Sequence, residues 1–182
     1  MIRNTQLNYG WLSISLHWLM ALAFIAMYLL GDYMVGLDYY DPWYHRAPDI
    51  HKACGILLVL LMLLRWVWNR TNPRPQDLSS HALSNRLAHI GHQVFYLMIL
   101  LLFVSGYLIS TAKGKGIDVF ELFSVPAVLP ENPERGDTAG VIHEWLAFGF
   151  IMLALGHAAA ALYHHFKLKD ATLRRMLGLT SN

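Results

Sequence analysis

The chain has 182 residues, 55% of them hydrophobic, a mean hydropathy of +0.36 and a formal net charge of +2. That is too apolar for an ordinary soluble domain of this length, so the expectation is one integral membrane domain over residues 1–182 and no nucleic-acid partner. Its single cysteine, Cys54, permits no intrachain disulfide and excludes the Cys-x-x-Cys-His signature of covalently attached haem.

Four stretches are long and apolar enough to span about 30 Å of hydrocarbon. They predict helices over about 11–31, 51–69, 87–110 and 142–166, joined as an all-α, up-down four-helix bundle. The first is too long for the apolar region of a signal peptide, and no small-residue cleavage site follows it, so it is expected to stay in the mature protein. It carries His17, with Ala21, Phe24 and Tyr28 along the same stripe. The second begins near His51, whose face continues through Gly55, Leu58, Met62 and Arg65. The proline-rich stretch TNPRPQDLSS from Thr71 stops one helix before the next begins, and the third helix carries His89 and His92 near its start. IDVFELFSVPAVL from Ile117 mixes acids with large apolar residues, which predicts a short surface helix at about 117–124, equally readable as a folded loop capping the bundle. The basic tail, 167–182, reads as an amphipathic segment on the membrane surface, contacting membrane lipids.

Charge orients the chain. One side, with the termini and the middle connection, collects Arg3, Arg65, Arg70, Arg74, Arg86, Lys167, Lys169, Arg174 and Arg175 against only Asp77 and Asp170. The other has Arg46, Lys52, Lys113, Lys115 and Arg135 against ten acids. The positive-inside rule then puts both termini in the cytoplasm and the 32–52 and 111–143 connections outside, which is the periplasm in a bacterium with an outer membrane.

The histidines carry the chemistry. His143 and His157 lie fourteen residues apart on the last helix, which is ~21 Å along the axis and ~40° short of four full turns. Both imidazoles face the same way, one towards each side of the bilayer, along a stripe through Ala147, Phe150, Ala154 and Ala161 whose alanines leave room for flat macrocycles. Small residues also let membrane helices approach closely, so the stripe gains its meaning from the histidine at each end. Intramembrane ionisable residues are costly enough to mark function by default. Two levels with two imidazoles each is what two b-type haems with bis-histidine ligation need: His51 stands at the level of His143, whereas His17 and His92 are both at the level of His157, and depth does not choose between them. Transport of a metal along a histidine path fits the histidine count but not the fourteen-residue registry.

Around these levels, Arg65 lies fourteen residues from His51 and so at the inner depth, where it either meets a haem propionate or snorkels to the headgroups. His164, His165 and Trp18 at the inner end form an apolar cleft with a few polar groups, suited to a quinone headgroup or simply to the interface. Arg46, Lys52, Lys113 and Lys115 at the outer face bind propionates or focus a small anion. His45 and His81, in loops, read as solvated.

These residues resemble the bacterial cytochrome b561 family over nearly the whole chain, from about Tyr9 to Leu177. The motifs are SISLHWL around His17, DIHKACGILLVLLMLLRW around His51, RLAHIGH around His89, VIHEWLA around His143, and GHAAAALYHHFKLKDATLRRML at the C-terminal end. YDPWYHRAP and GYLISTAKGKGIDVFELFSVPA are most similar to the YceJ branch. The resemblance implies a multi-pass bacterial inner-membrane protein, a four-helix cytochrome with two non-covalent b haems that exchanges electrons with ubiquinone. It implies His51 with His143 at the outer haem, His17 with His157 at the inner one, and a quinone near His164. It further implies an oxidoreductase serving a periplasmic electron donor; related members oxidise superoxide and reduce ubiquinone, and YceJ-type proteins accompany a lipocalin-like polyisoprenoid-binding protein. A haem-containing membrane anchor for a periplasmic partner is the remaining reading.

Overall fold

The computed structural model describes residues 1–78 and 82–179. Its four long helices are α1 (Trp11–Val35), α2 (Arg46–Thr71), α3 (Ala82–Ser110) and α4 (Pro133–Tyr163). All four are long and apolar enough to cross a membrane; even α1, with 25 residues, is ~38 Å long. Their large apolar side chains are mostly exposed, as in Leu22, Leu29, Leu64 and Leu155, because the solvent for these faces is lipid and burying them among protein brings no hydrophobic gain. What does hold such helices together is close contact and hydrogen bonding.

Each helix outruns the apolar stretch that predicted it, because local chemistry sets its ends. Asn132 caps α4 by accepting from the Arg135 N–H at 2.9 Å, and Pro133 follows as the first helical residue, so α4 starts well before the apolar residues do. At the other end α4 passes into a π-helical turn, His164–Leu168, which Lys169 closes in the left-handed conformation. A short helix, α5 (Thr172–Met176), follows.

The contacts divide the chain into two compact units. The first contains 1–21, 61–96 and 152–182, and the second 22–60 and 97–151. The first therefore takes the start of α1, the end of α2, the start of α3 and the end of α4, which means that successive helices alternate in direction.

In the first unit a buried polar network ties the start of α1 to the end of α2. Asn4 Oδ1 accepts from the Gly10 N–H (2.8 Å) and the Ser13 hydroxyl (2.7 Å), Asn4 Nδ2 donates to the Pro73 carbonyl (3.1 Å), and Trp68 Nε1 donates to Ser13 Oγ (2.9 Å). The same unit holds α5 in place: Trp18 Nε1 donates to the Met176 carbonyl (2.7 Å) and Arg175 Nη1 to that of Gln76 (2.7 Å).

In the second unit the expected surface helix at 117–124 is instead a β-hairpin. β1 (Ile117–Val119) pairs antiparallel with β2 (Phe123–Val125). The physical reason is a period of two: Ile117 and Val119 point inward onto Ala53 and Ile56 while Asp118 points out. Residues 120–122 connect the strands: Phe120 and Glu121 have positive φ (53° and 59°), the Leu122 N–H donates to the Val119 carbonyl at 3.0 Å, and Asp118 Oδ1 steadies the turn by accepting from the Glu121 N–H at 2.9 Å. Tyr107 of α3 anchors the following segment, donating to the Pro126 carbonyl (2.8 Å) and accepting from the Val128 N–H (3.0 Å).

Candidate functional site

In the second unit, His51 of α2 and His143 of α4 face one another with ring centroids 6.2 Å apart. Glycines make space for both rings. A Cβ on Gly31 of α1 would stand 3.3 Å from His51 Cε1, and one on Gly106 of α3 would stand 3.2 Å from His143 Cε1. His143 Nδ1 lies 2.9 Å from Ser105 Oγ, whereas the buried His51 Nδ1 has no hydrogen-bond partner among the described residues. The rings of Phe24 and Phe150, which the helical stripes had placed alongside the histidines, meet at 5.0 Å in the same unit.

In the first unit three imidazoles converge. His157 lies 6.2 Å from His17 and 5.9 Å from His92 between ring centroids, and Phe95 flanks it at 5.6 Å. Arg65 reaches this cluster, as its spacing predicted, but what it contacts is His17: its Nη2 is 3.2 Å from His17 Nδ1. A guanidinium only donates, so His17 Nδ1 accepts and the proton of a neutral ring sits on Nε2. For His17 to offer Nε2 as a ligand, Arg65 must release it.

The donor chemistry fits haem. Among the described residues no group of three or more His, Cys, Asp and Glu is arranged to hold a bare metal ion, whereas haem, which brings its own four nitrogens, would need only two nitrogens from the chain. Two facing imidazoles would supply such a group with its protein ligands, one nitrogen from each ring. The facing pairs are His51 with His143 and His17 with His157, each 6.2 Å apart between centroids, and His92 with His157 at 5.9 Å.

The remaining predicted residues divide. His164 donates through Nδ1 to Asp170 Oδ2, and Asp170 Oδ1 accepts from the Thr172 N–H at 2.9 Å. Burial pushes the Asp170 carboxyl up, but these hydrogen bonds outweigh it and hold the group below the usual carboxylate range. Trp18, expected beside a cofactor, is engaged with Met176 of α5. Lys52 pairs with Asp49 at 2.7 Å one helical turn away, while Arg46 and Lys113 are exposed. His81, read from sequence as solvated, and the last three residues of the basic tail lie outside the described residues. Sequence reasoning missed Gly31, Gly106, Ser105 and Asp170; the available signal was glycine and serine inside helices that otherwise read as leucine-rich.

A family model described as prokaryotic cytochrome b561 matches residues 8–179. The chain belongs to this family. It is 46% identical over 180 residues to "Cytochrome b561 homolog 2" of Escherichia coli (strain K12), covering 98% of this chain and 96% of that one. It is 34% identical over 173 residues to "Probable superoxide oxidase CybB" of Yersinia pestis, covering 93% and 96%. "Cytochrome b561 homolog 1" of Escherichia coli (strain K12) is 27% identical over 169 residues, with 90% and 93% covered. Membership makes this a multi-pass bacterial inner-membrane protein that carries b-type haem and transfers electrons. The four spanning helices are those of a four-helix integral membrane bundle.

Proposed function

We propose that this cytochrome carries electrons between a periplasmic donor and the ubiquinone pool, with two b haems held by histidine pairs and both termini in the cytoplasm. The observation that carries the reading is the spacing of the two imidazole pairs: His51 with His143 and His17 with His157, each 6.2 Å apart, in different units of the fold. When bound, b-type haem supplies a one-electron carrier whose low-spin iron has no open coordination site, so partners react at its edge. The chain's own contribution is to hold four imidazoles and, at the His51–His143 pair, to make room for both rings with Gly31 and Gly106. At the inner end, the His164–Asp170 pair is placed to hold and pass the proton that quinone reduction consumes. Arg65, close to His17, is the group nearest to hand for an inner propionate, and Trp18 shapes the same end by holding α5.

The test is pyridine haemochrome quantification on purified protein and on His51→Ala, His143→Ala and His157→Ala. Two haems per chain in the parent and one in each variant is the expected result, and unchanged haem content in any variant removes that residue from the ligand set. The Arg65–His17 contact favours a second reading of the inner pair, with His92 opposite His157. His17→Ala and His92→Ala decide it by which one loses the haem.

A second reading of the outer face follows from the relative named as a probable superoxide oxidase. Here the exposed Arg46 and Lys113 draw the anion in, while Lys52, already paired with Asp49, contributes less. Superoxide consumption that falls as salt rises supports it, and a salt-independent rate removes it. A lipocalin-like or other periplasmic partner, with the cytochrome as its anchor, is tested by co-purification.

A further inference from the structure

We infer that Ser105 is a positioning residue that fixes the proton of His143 on Nδ1 and so keeps Nε2 as a free lone pair for iron. The inference rests on the proposed role of His143 as a haem ligand and goes beyond it, because it concerns which nitrogen is available and how strongly it donates.

Competition for the hydroxyl hydrogen favours one direction of the hydrogen bond. The Ser105 hydroxyl has one hydrogen, and two carbonyls of its own helix compete for it: Leu101 at 2.8 Å and Leu102 at 3.1 Å. With that hydrogen committed to the backbone, the oxygen has only lone pairs to offer His143 Nδ1, 2.9 Å away. Nδ1 therefore donates. In a neutral imidazole the other nitrogen is then unprotonated. Ser105 is 4% exposed, so no solvent competes for the contact, and the backward bond to Leu101 holds the oxygen in place; the Leu102 carbonyl is a second acceptor for the His143 ring, which also favours a donating nitrogen on this side. Gly106, the next residue, gives the ring its clearance. Adjacent residues on α3 thus supply both the orientation and the room. His51 across the pair has no counterpart, since its Nδ1 is unpartnered among the described residues.

A ligand whose second nitrogen donates a hydrogen bond is a stronger base. It stabilises the more highly charged ferric iron relative to ferrous, so Ser105 holds the potential of this haem down.

The experiment is an anaerobic redox titration, with haem counted per chain, on the purified protein, Ser105→Ala, Ser105→Thr and His143→Ala. Expected is full haem in Ser105→Ala with one of the two midpoint potentials shifted positive, and parent behaviour in Ser105→Thr, which keeps the hydroxyl. Two unshifted potentials in Ser105→Ala overturn the inference. Should Ser105→Ala lose a haem, retention by Ser105→Thr supports the hydroxyl's role, and loss in both overturns it. His143→Ala separates the two layers: loss of one haem upholds the ligand assignment whatever Ser105 does, and retention of both removes the assignment and the inference with it.

Discussion

Gly106→Ala is the sharpest probe of the outer level, because a single methyl is added at a known distance. The new Cβ would stand 3.2 Å from His143 Cε1, inside ordinary carbon–carbon contact, and 3.6 Å from its Nδ1, an ordinary distance. Relief requires the ring or the helix to give by a few tenths of an ångström. The ring is not free to do so, since Nδ1 is tied to Ser105 at 2.9 Å and His51 stands on its other side. Overpacking of this kind costs about 1–3 kcal/mol, or about 5- to 150-fold in the affinity of the outer haem. Gly91→Ala, on the same helix, is the control: nothing lies within 4 Å of its new Cβ, and alanine gains up to about 1 kcal/mol of helix propensity. The assay is thermal unfolding followed at the haem Soret band, with haem per chain measured on the same samples. Gly106→Ala should lose outer haem or melt at least about 2–4 °C lower, and Gly91→Ala should match or exceed the parent. Equal haem content and melting temperature in the two variants would refute the steric reasoning.

Three further outcomes are expected. Asn4→Ala strips the acceptor from the Gly10 N–H and Ser13 hydroxyl, both buried, and should cost about 2–3 kcal/mol, read as a lower melting temperature. The Asp170 carboxyl titrates below its unfolded value, so its stabilisation of the 164–172 segment is present above the usual carboxylate range and is lost as pH falls through the depressed folded value. Proteolysis or amide exchange of that segment against pH should show the step, and Asp170→Asn should abolish it. Trp18→Phe removes the bond to the Met176 carbonyl and should speed amide exchange in α5 by roughly fivefold, about 1 kcal/mol, with haem content unchanged.

The four helices were legible because a spanning segment must be long and apolar, and the histidine levels because fourteen residues nearly close four turns. Their ends were not, since caps such as Asn132 and the π turn after Tyr163 lie in polar sequence that hydropathy does not read. The hairpin was missed for a similar reason: strands of three residues offer a single alternation, and Asp118 and Glu121 among large apolar residues imitate an amphipathic helix. The contact of Arg65 with His17 depends on three-dimensional proximity across 48 residues, as the Ser105–His143 bond does across 38. No one-dimensional period encodes either.

The division of each helix between two units bears on how the protein is made. Because α4 supplies both His143 and His157, neither candidate site exists until the last spanning segment has been synthesised and inserted. A ribosome that stalls before Pro133 leaves a chain with His17, His51 and His92 but without His143 and His157, the two residues common to the proposed pairs. Haem held by either proposed pair would thus report that α4 has been synthesised and inserted.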